Sequence, residues 1–303
     1  MRKAAIDVGS NSVILVVAEQ IAGRWQPVFE DTRVTGLGQG TKSSGVLRAD
    51  RMDATLDWLK LCFAKAQELG AESILAGGTM ALRIAENAPE FLDRAEAQGT
   101  PVHVISGEKE AELGFWSVAH DPLFANAAKL AIIDPGGHST ELLAAERDGG
   151  EWKISFRQSF PVGALGLRDG LLSAPSPGAA EQFRAACEVD ALLTGAPTDL
   201  GQAIVLGATG TNLVSIREKY ETWQPDRVHG SNLDFEEVGR ATGWLCGMDD
   251  EERARLPGLE SGREFTIHIG CLILERFMNA IRANDVTVSV RGWRHALIEQ
   301  GLT

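Results

Sequence analysis

The pattern of apolar and polar positions divides the chain into two stretches of similar plan. Apolar runs at 3–8 and 13–19, with a more mixed segment at 24–34, predict three strands joined by short turns. Asp50 to Leu69 carries Met52, Leu56, Leu59, Cys62, Phe63 and Ala66 at helical spacing, with Asp50 placed to cap the helix and Gly70 to end it. A short strand at 73–76, a helical stretch after Gly77-Gly78-Thr79, a strand at 102–106 and a helix from Gly107 follow. The plan begins again at Lys129. Strands are expected at 130–134, 140–146 and 152–159, then a turn from Pro161 to Gly166, a helix at 179–193 and a strand at 203–206. Helices near 210–219, 234–247, 250–255 and 264–283, a strand at 286–289 and a helix from near Gly292 complete the chain. Three strands followed by alternating helices and strands predict an α/β protein with a mixed sheet and crossover helices in each half. The junction between the halves falls near Ala119 to Ala128.

Within this plan one motif occurs twice. Ala131 to Glu146 reads A-I-I-D-P-G-G-H-S-T-E-L-L-A-A-E, and Ala4 to Glu19 reads A-A-I-D-V-G-S-N-S-V-I-L-V-V-A-E. With Asp7 set on Asp134, Ile6 falls on Ile133, Gly9 on Gly136, Ser12 on Ser139, Leu15 on Leu142, and Ala18-Glu19 on Ala145-Glu146, without a gap. An internal repeat of this kind points to two similar half-molecules. A strand that ends in Asp and turns through glycines and hydroxyls suits a phosphate. Glycines let backbone N–H groups approach the oxygens, and the acid can hold a divalent cation beside them. Two such loops would grip a phosphate chain from both sides.

Composition narrows the field. A chain of 303 residues at 44% hydrophobic can bury a full core. It has no long apolar run to cross a membrane and no recognisable signal peptide. A net charge of −13 argues against broad nucleic-acid binding, which needs a basic face. Cys62, Cys187, Cys246 and Cys271 lie far apart in helical segments and are expected to be free, buried thiols, which suits a cytoplasmic setting. The G-L-G-Q-G run at Gly36–Gly40 opens no helix and is expected to be a flexible loop.

The dispersed motifs resemble the exopolyphosphatase / guanosine pentaphosphate phosphohydrolase (Ppx/GppA) family of the actin-like ATPase superfamily. A-I-D-V-G-S-N-S is similar to its first phosphate loop and I-D-P-G-G-H-S-T-E-L to its second. G-T-M-A-L-R-I-A-E-N at Gly78–Asn87, I-S-G-E-K-E-A-E-L at Ile105–Leu113 and V-S-V-R-G-W-R-H-A-L at Val288–Leu297 look like three further family blocks. Weaker matches are S-F-P-V-G-A at Ser159–Ala164, G-A-T-G-T at Gly207–Thr211 and V-H-G at Val228–Gly230. The resemblance implies two ribonuclease-H-like domains, each a mixed sheet with flanking helices, and a cleft between them. These would be residues 1–122, with the C-terminal helix 291–303 as a candidate completion, and residues 123–290.

The resemblance also implies a reaction: hydrolysis of terminal phosphoanhydride bonds of inorganic polyphosphate or guanosine pentaphosphate with Mg²⁺. Glu110 would activate water, with Asp134 and Glu141 assisting, and Asp7, Asp134 and Glu141 would hold the metal. Gly9, Ser10, Asn11, Ser12, Gly136, Gly137, His138, Ser139 and Thr140 would cradle phosphates, Arg83 and Arg294 would neutralise them, and Gly210 and Thr211 would line the same site. His103, His120, His268 and His295 are expected to be structural or surface residues. A homodimer is a further implication. Pro135 and His138 depart from the family's second loop, and Val290, Trp293 and Ala296 from its closing motif. These departures keep open an anion-binding sensor, and the superfamily keeps open an ATPase or sugar kinase. His138 corresponds to Asn11 in the repeat, and both types tolerate positive φ.

Overall fold

The first three apolar runs pair in sequence. In the structure, a computed structural model that describes residues 1–301, β1 (Arg2–Val8), β2 (Ser12–Ile21) and β3 (Arg24–Val34) form an antiparallel meander. α1 (Thr41–Ser44) and α2 (Ala49–Glu68) cross over to β4 (Ser73–Gly78), which runs parallel to β1. After α3 (Met80–Ile84) and α4 (Ala88–Ala97), β5 (His103–Val104) adds in parallel, and α5 (Gly107–Ala119) follows. The sheet order is β3-β2-β1-β4-β5. Along β2 the side chains alternate between two cores, as strand geometry requires. Val13, Leu15 and Val17 meet the apolar stripe of α2 at Met52, Leu56, Leu59 and Phe63. Val16 and Ala18 meet Trp293, Ala296 and Leu297 from the C-terminal helix and Leu113 of α5. Met1–Ser117 and the segment from Trp293 therefore make one unit, and Val118–Gly292 makes the other.

The second unit repeats the plan. β6 (Lys129–Pro135), β7 (Thr140–Asp148) and β8 (Glu151–Phe160) form the meander. α6 (Ala164–Arg168) and α7 (Ala179–Leu192) lead to β9 (Gln202–Val205), parallel to β6. α8 (Gly207–Glu218), α9 (Pro225–Val228), β10 (Asn232–Asp234), α10 (Phe235–Cys246), α11 (Asp250–Ala254) and α12 (Ile267–Ile281) precede β11 (Asp285–Val288). The order is β10-β11-β9-β6-β7-β8, with β11 parallel to β9 and β10 antiparallel at the edge. α13 (Trp293–Gln300) then belongs to the first unit. Each unit is thus a mixed sheet with flanking helices, in the strand order of a ribonuclease-H-like domain.

The repeat runs further than residue identity shows. A shift of 127 (134 minus 7) maps β1–β2–β3 onto β6–β7–β8, and both meanders carry a register break, at Val17/Ala18 and at Ala144/Ala145 (144 minus 17 is again 127).

Four expectations are corrected. Gly36–Gly40 is no flexible loop: Leu37 is fully buried, and the segment is hydrogen-bonded to its neighbours. The cap residue of α2 is Arg48, and Asp50 lies inside the first turn, paired with Arg48 at 3.0 Å. Cys187 is exposed, because α7 turns Ala185 and Val189 inward and leaves the position between them outside. Trp293 and Ala296, departures from the family's closing motif, are core residues of the first unit. Among the described residues no helix is long and apolar enough to cross a membrane.

Candidate active site

Each meander presents its strand-turn-strand loop at the end of the first strand. In the first, Gly9 N–H donates to the Ser12 carbonyl; in the second, Gly136 N–H donates to the Ser139 carbonyl, both at 2.9 Å. A side chain at either glycine would put its Cβ 2.8 Å from that same carbonyl oxygen, so the turn closes only on glycine. Neither Asn11 nor His138 has positive φ. His138 therefore needs no special tolerance to replace a glycine, which corrects the expectation that conformation constrains this position. Its side chain is buried.

The first loop is held from behind by main-chain bonds. The Asn11 carbonyl accepts from Thr35 N–H (3.1 Å) and Gly36 N–H (2.9 Å), and the Ser10 carbonyl from Gly38 N–H (2.8 Å). Ser10 Oγ accepts from Ala81 N–H at 3.1 Å in the first turn of α3. The loop is thereby fastened to the helix that carries Arg83.

Strand register sets out the acids. Asp134 pairs with Glu141 across β6 and β7, and Glu141 pairs with Ser159 across β7 and β8. Directly opposed residues share a face, so Asp134, Glu141 and Ser159 form one row. Ser159 Oγ donates to Glu141 Oε1 at 2.7 Å. Gly207, with φ of 76°, closes the row: a Cβ there would stand 2.9 Å from Asp134 Oδ1. The matching row of the first unit is Asp7, Ile14 and Thr32, so the repeat puts Ile14 where the second unit has Glu141. Ser159 and Gly207 were legible only as members of weak motifs. What gives them a place is their register beside the two acids.

Arg83 and Glu110 meet. Arg83 Nη1 donates to Glu110 Oε2 at 2.9 Å and to the Ile105 carbonyl at 2.8 Å, on a pair whose side chains are 17% and 11% exposed. Burial pushes the Glu110 carboxyl above its usual range, and the charge and hydrogen bond of Arg83 offset this only in part. Its neighbour Glu108 is exposed.

The remaining candidates have partners of their own. Thr140 Oγ1 donates to the Val162 carbonyl at 2.7 Å. Gly210 allows α8 to lie against the sheet, since a Cβ there would stand 2.6 Å from Val205. Thr211 Oγ1 bonds back to the Ala208 carbonyl at 3.3 Å. Arg294 pairs with Glu30 at 3.6 Å, and His295 Nε2 approaches the same carboxylate at 3.2 Å. Burial favours the neutral acid at Glu30, but the His295 hydrogen bond and the Arg294 charge outweigh it and hold the group below its ordinary range.

The sequence profile of the Ppx/GppA phosphatase family matches residues 16–302. The chain belongs to this family. It is 35% identical over 305 aligned positions to the guanosine-5'-triphosphate,3'-diphosphate pyrophosphatase of Vibrio cholerae, covering 97% of the chain. It spans only 58% of that relative's length. A crystal structure of the Aquifex aeolicus Ppx/GppA family member superposes with a TM-score of 0.80 at 28% identity, over 100% of this chain and 98% of that one. An exopolyphosphatase from Cytophaga hutchinsonii gives a TM-score of 0.87 at 23% identity, over 99% and 97% of the two chains, and shows the shared fold.

Proposed function

We propose that this Ppx/GppA family member hydrolyses terminal phosphoanhydride bonds of inorganic polyphosphate, guanosine pentaphosphate or both. The observation that carries the reading is the buried Arg83–Glu110 pair, a raised carboxyl beside a guanidinium, in the unit whose first phosphate loop is fastened to the arginine's own helix. A carboxylate with a raised pKa is suited to take a proton from an attacking water near neutral pH. A guanidinium offers a planar fork to phosphoryl oxygens. Phosphoryl transfer asks mainly for positioning and charge neutralisation, and the loop amides, Ser12 and Ser139 supply donors for both. The names of the Vibrio cholerae and Cytophaga hutchinsonii proteins support the substrate class.

The acids suit a divalent cation. Among the described residues no group of three or more His, Cys, Asp or Glu side chains forms a ready-made metal cage. Asp134 and Glu141 stand opposed on one face, and Mg²⁺ is commonly held by one or two carboxylates with phosphate and water completing the shell. These two residues would hold it. When bound, the ion would neutralise charge on the phosphate oxygens.

Phosphate release by the purified chain from polyphosphate, guanosine pentaphosphate and ATP, with and without Mg²⁺, tests it. Release from either of the first two that is lost in Glu110→Gln supports the reading. Binding without turnover makes the protein a sensor, and turnover of ATP alone makes it an ATPase or kinase.

A further inference from the structure

The fastening of the first loop has a counterpart in the second, made by a segment of unlike sequence. Ala164 N–H donates to the Gly136 carbonyl (3.0 Å), and Leu165 N–H to the Gly137 carbonyl (2.7 Å), with Gly166 N–H on the same oxygen at 3.2 Å. The shift of 127 maps Leu165 to position 38 and Gly137 to position 10, and Gly38 N–H does donate to the Ser10 carbonyl. Two different stretches, each following the third strand of its meander, reach back and hold the same loop carbonyl.

A planar trans peptide carries its C=O and N–H on opposite sides, and none of the peptides is cis among the described residues. Holding the Gly137 carbonyl against Leu165 therefore turns the His138 N–H the other way. Holding the Gly136 carbonyl against Ala164 does the same for the Gly137 N–H. Gly163 sets how close the reaching segment comes. A Cβ at Gly163 would lie 2.4 Å from Gly137 C, 2.5 Å from its O and 2.5 Å from His138 N, all backbone atoms with nowhere cheap to go. Its φ of −158° and ψ of 167° are extended values open to any residue. Space, not conformation, demands glycine here.

We propose that Gly163, with the Ala164 and Leu165 amides beside it, is a positioning element that aims the Gly137 and His138 amides at a phosphate group of a linear phosphate chain. This inference rests on the second loop being a phosphate site, as the proposed function holds. Alanine at 163 adds no backbone strain of its own, so its effect is delivered to the loop.

The test uses inorganic tripolyphosphate in EDTA, which removes divalent cations, with Gly163→Ala, Ala164→Pro and the control Gly243→Ala, whose Cβ would meet nothing within 4 Å. Proline suits the first helical position, but it removes the donor to Gly136 and sets its Cδ against that carbonyl oxygen, so it too displaces the loop. Affinity is read by calorimetry, and the His138 amide by ¹⁵N-histidine labelling, since the chain has only 6 histidines. In the wild type the His138 amide resonance moves downfield on adding tripolyphosphate. Both variants raise Kd about tenfold or more, the scale of one or two lost hydrogen bonds to a charged group. They also abolish the amide shift, while Gly243→Ala matches the wild type. In Mg²⁺ the variants lose kcat/KM mainly through KM. A folded Gly163→Ala with wild-type Kd overturns the proposal, as does a wild-type His138 amide that tripolyphosphate leaves unmoved. Should Gly163→Ala not fold, Ala164→Pro and the wild-type amide decide. Wild-type protein that binds tripolyphosphate yet releases no phosphate from polyphosphate or guanosine pentaphosphate in Mg²⁺ overturns the hydrolase reading alone.

Discussion

Glu110 is one of three acids in E-K-E-A-E, and spacing alone does not separate it from Glu108 and Glu112. Its contact with Arg83, 27 residues away, does. Replacing it with glutamine is expected to lower kcat by roughly a hundredfold or more, the usual scale for a general base, with KM little changed in steady-state assays. The raised pKa also sets a sign for stability. Glu110 costs nothing while protonated, below the ordinary carboxylate range, and destabilises as pH rises through its folded pKa. Glu110→Gln should therefore raise the urea midpoint at neutral pH, with the gain vanishing in acid. His268 has the opposite profile. It is fully buried on α12, and burial, then the charges of Arg253 and Arg168, lower its pKa from 6.5 to about 3. The unfolded chain takes up this proton first, so the imidazole withdraws stability as pH falls from about 6.5 toward 3. His268→Leu should flatten that part of the urea-midpoint profile. The sequence left His268 as a structural or surface residue; its acid sensitivity was not legible, because it comes first from complete burial on α12 and then from Arg253 and Arg168.

At the scale of elements, the meanders were the most legible part of the chain, since two-residue alternation and the Asp-x-Gly turns are written in side chains. The reaching segments were not. Their hydrogen bonds join main-chain atoms, and Thr35–Gly38 shares one identity with Val162–Leu165, at Gly36 and Gly163. The closing motif was misread for a related reason. Its tryptophan looked like a defect in a substrate site, yet Trp293 fills the space that Gly77 leaves open, where a Cβ would stand 2.6 Å from the indole ring. Trp293→Ala is expected to cost about 3–5 kcal/mol in urea unfolding, as for other large aromatic truncations in a core. The exchange of Glu141 for Ile14 between matching rows shows that the two meanders kept a common geometry while only one kept a carboxylate pair.

On the scale of the whole molecule, sequence order suggested two halves divided near residue 122; the chain passes from one unit to the other between Ser117 and Val118 and returns between Gly292 and Trp293. Just inside the second unit, both passages end on His229. Its Nε2 lies 3.2 Å from Asp121 Oδ2, and its Nδ1 accepts from Val290 N–H at 3.4 Å. Burial tends to raise the Asp121 pKa, but the His229 hydrogen bond, the Leu123 N–H and the Arg291 guanidinium hold it below the ordinary range. The V-H-G motif was visible in sequence, but its partners lie 108 and 61 residues away. His229→Ala leaves Asp121 buried without its imidazole and is expected to cost about 1–3 kcal/mol in urea unfolding at neutral pH.

The first unit's sheet is covered on one side by a helix drawn from the far end of the chain, with Trp293, Ala296 and Leu297 in its core. During synthesis the ribosome releases Met1–Ser117 first, but the indole that plugs Gly77 emerges only after the whole second unit. The nascent chain therefore holds an open apolar surface on this unit until Trp293 has emerged, and the unit closes only after the one inserted within it has been made.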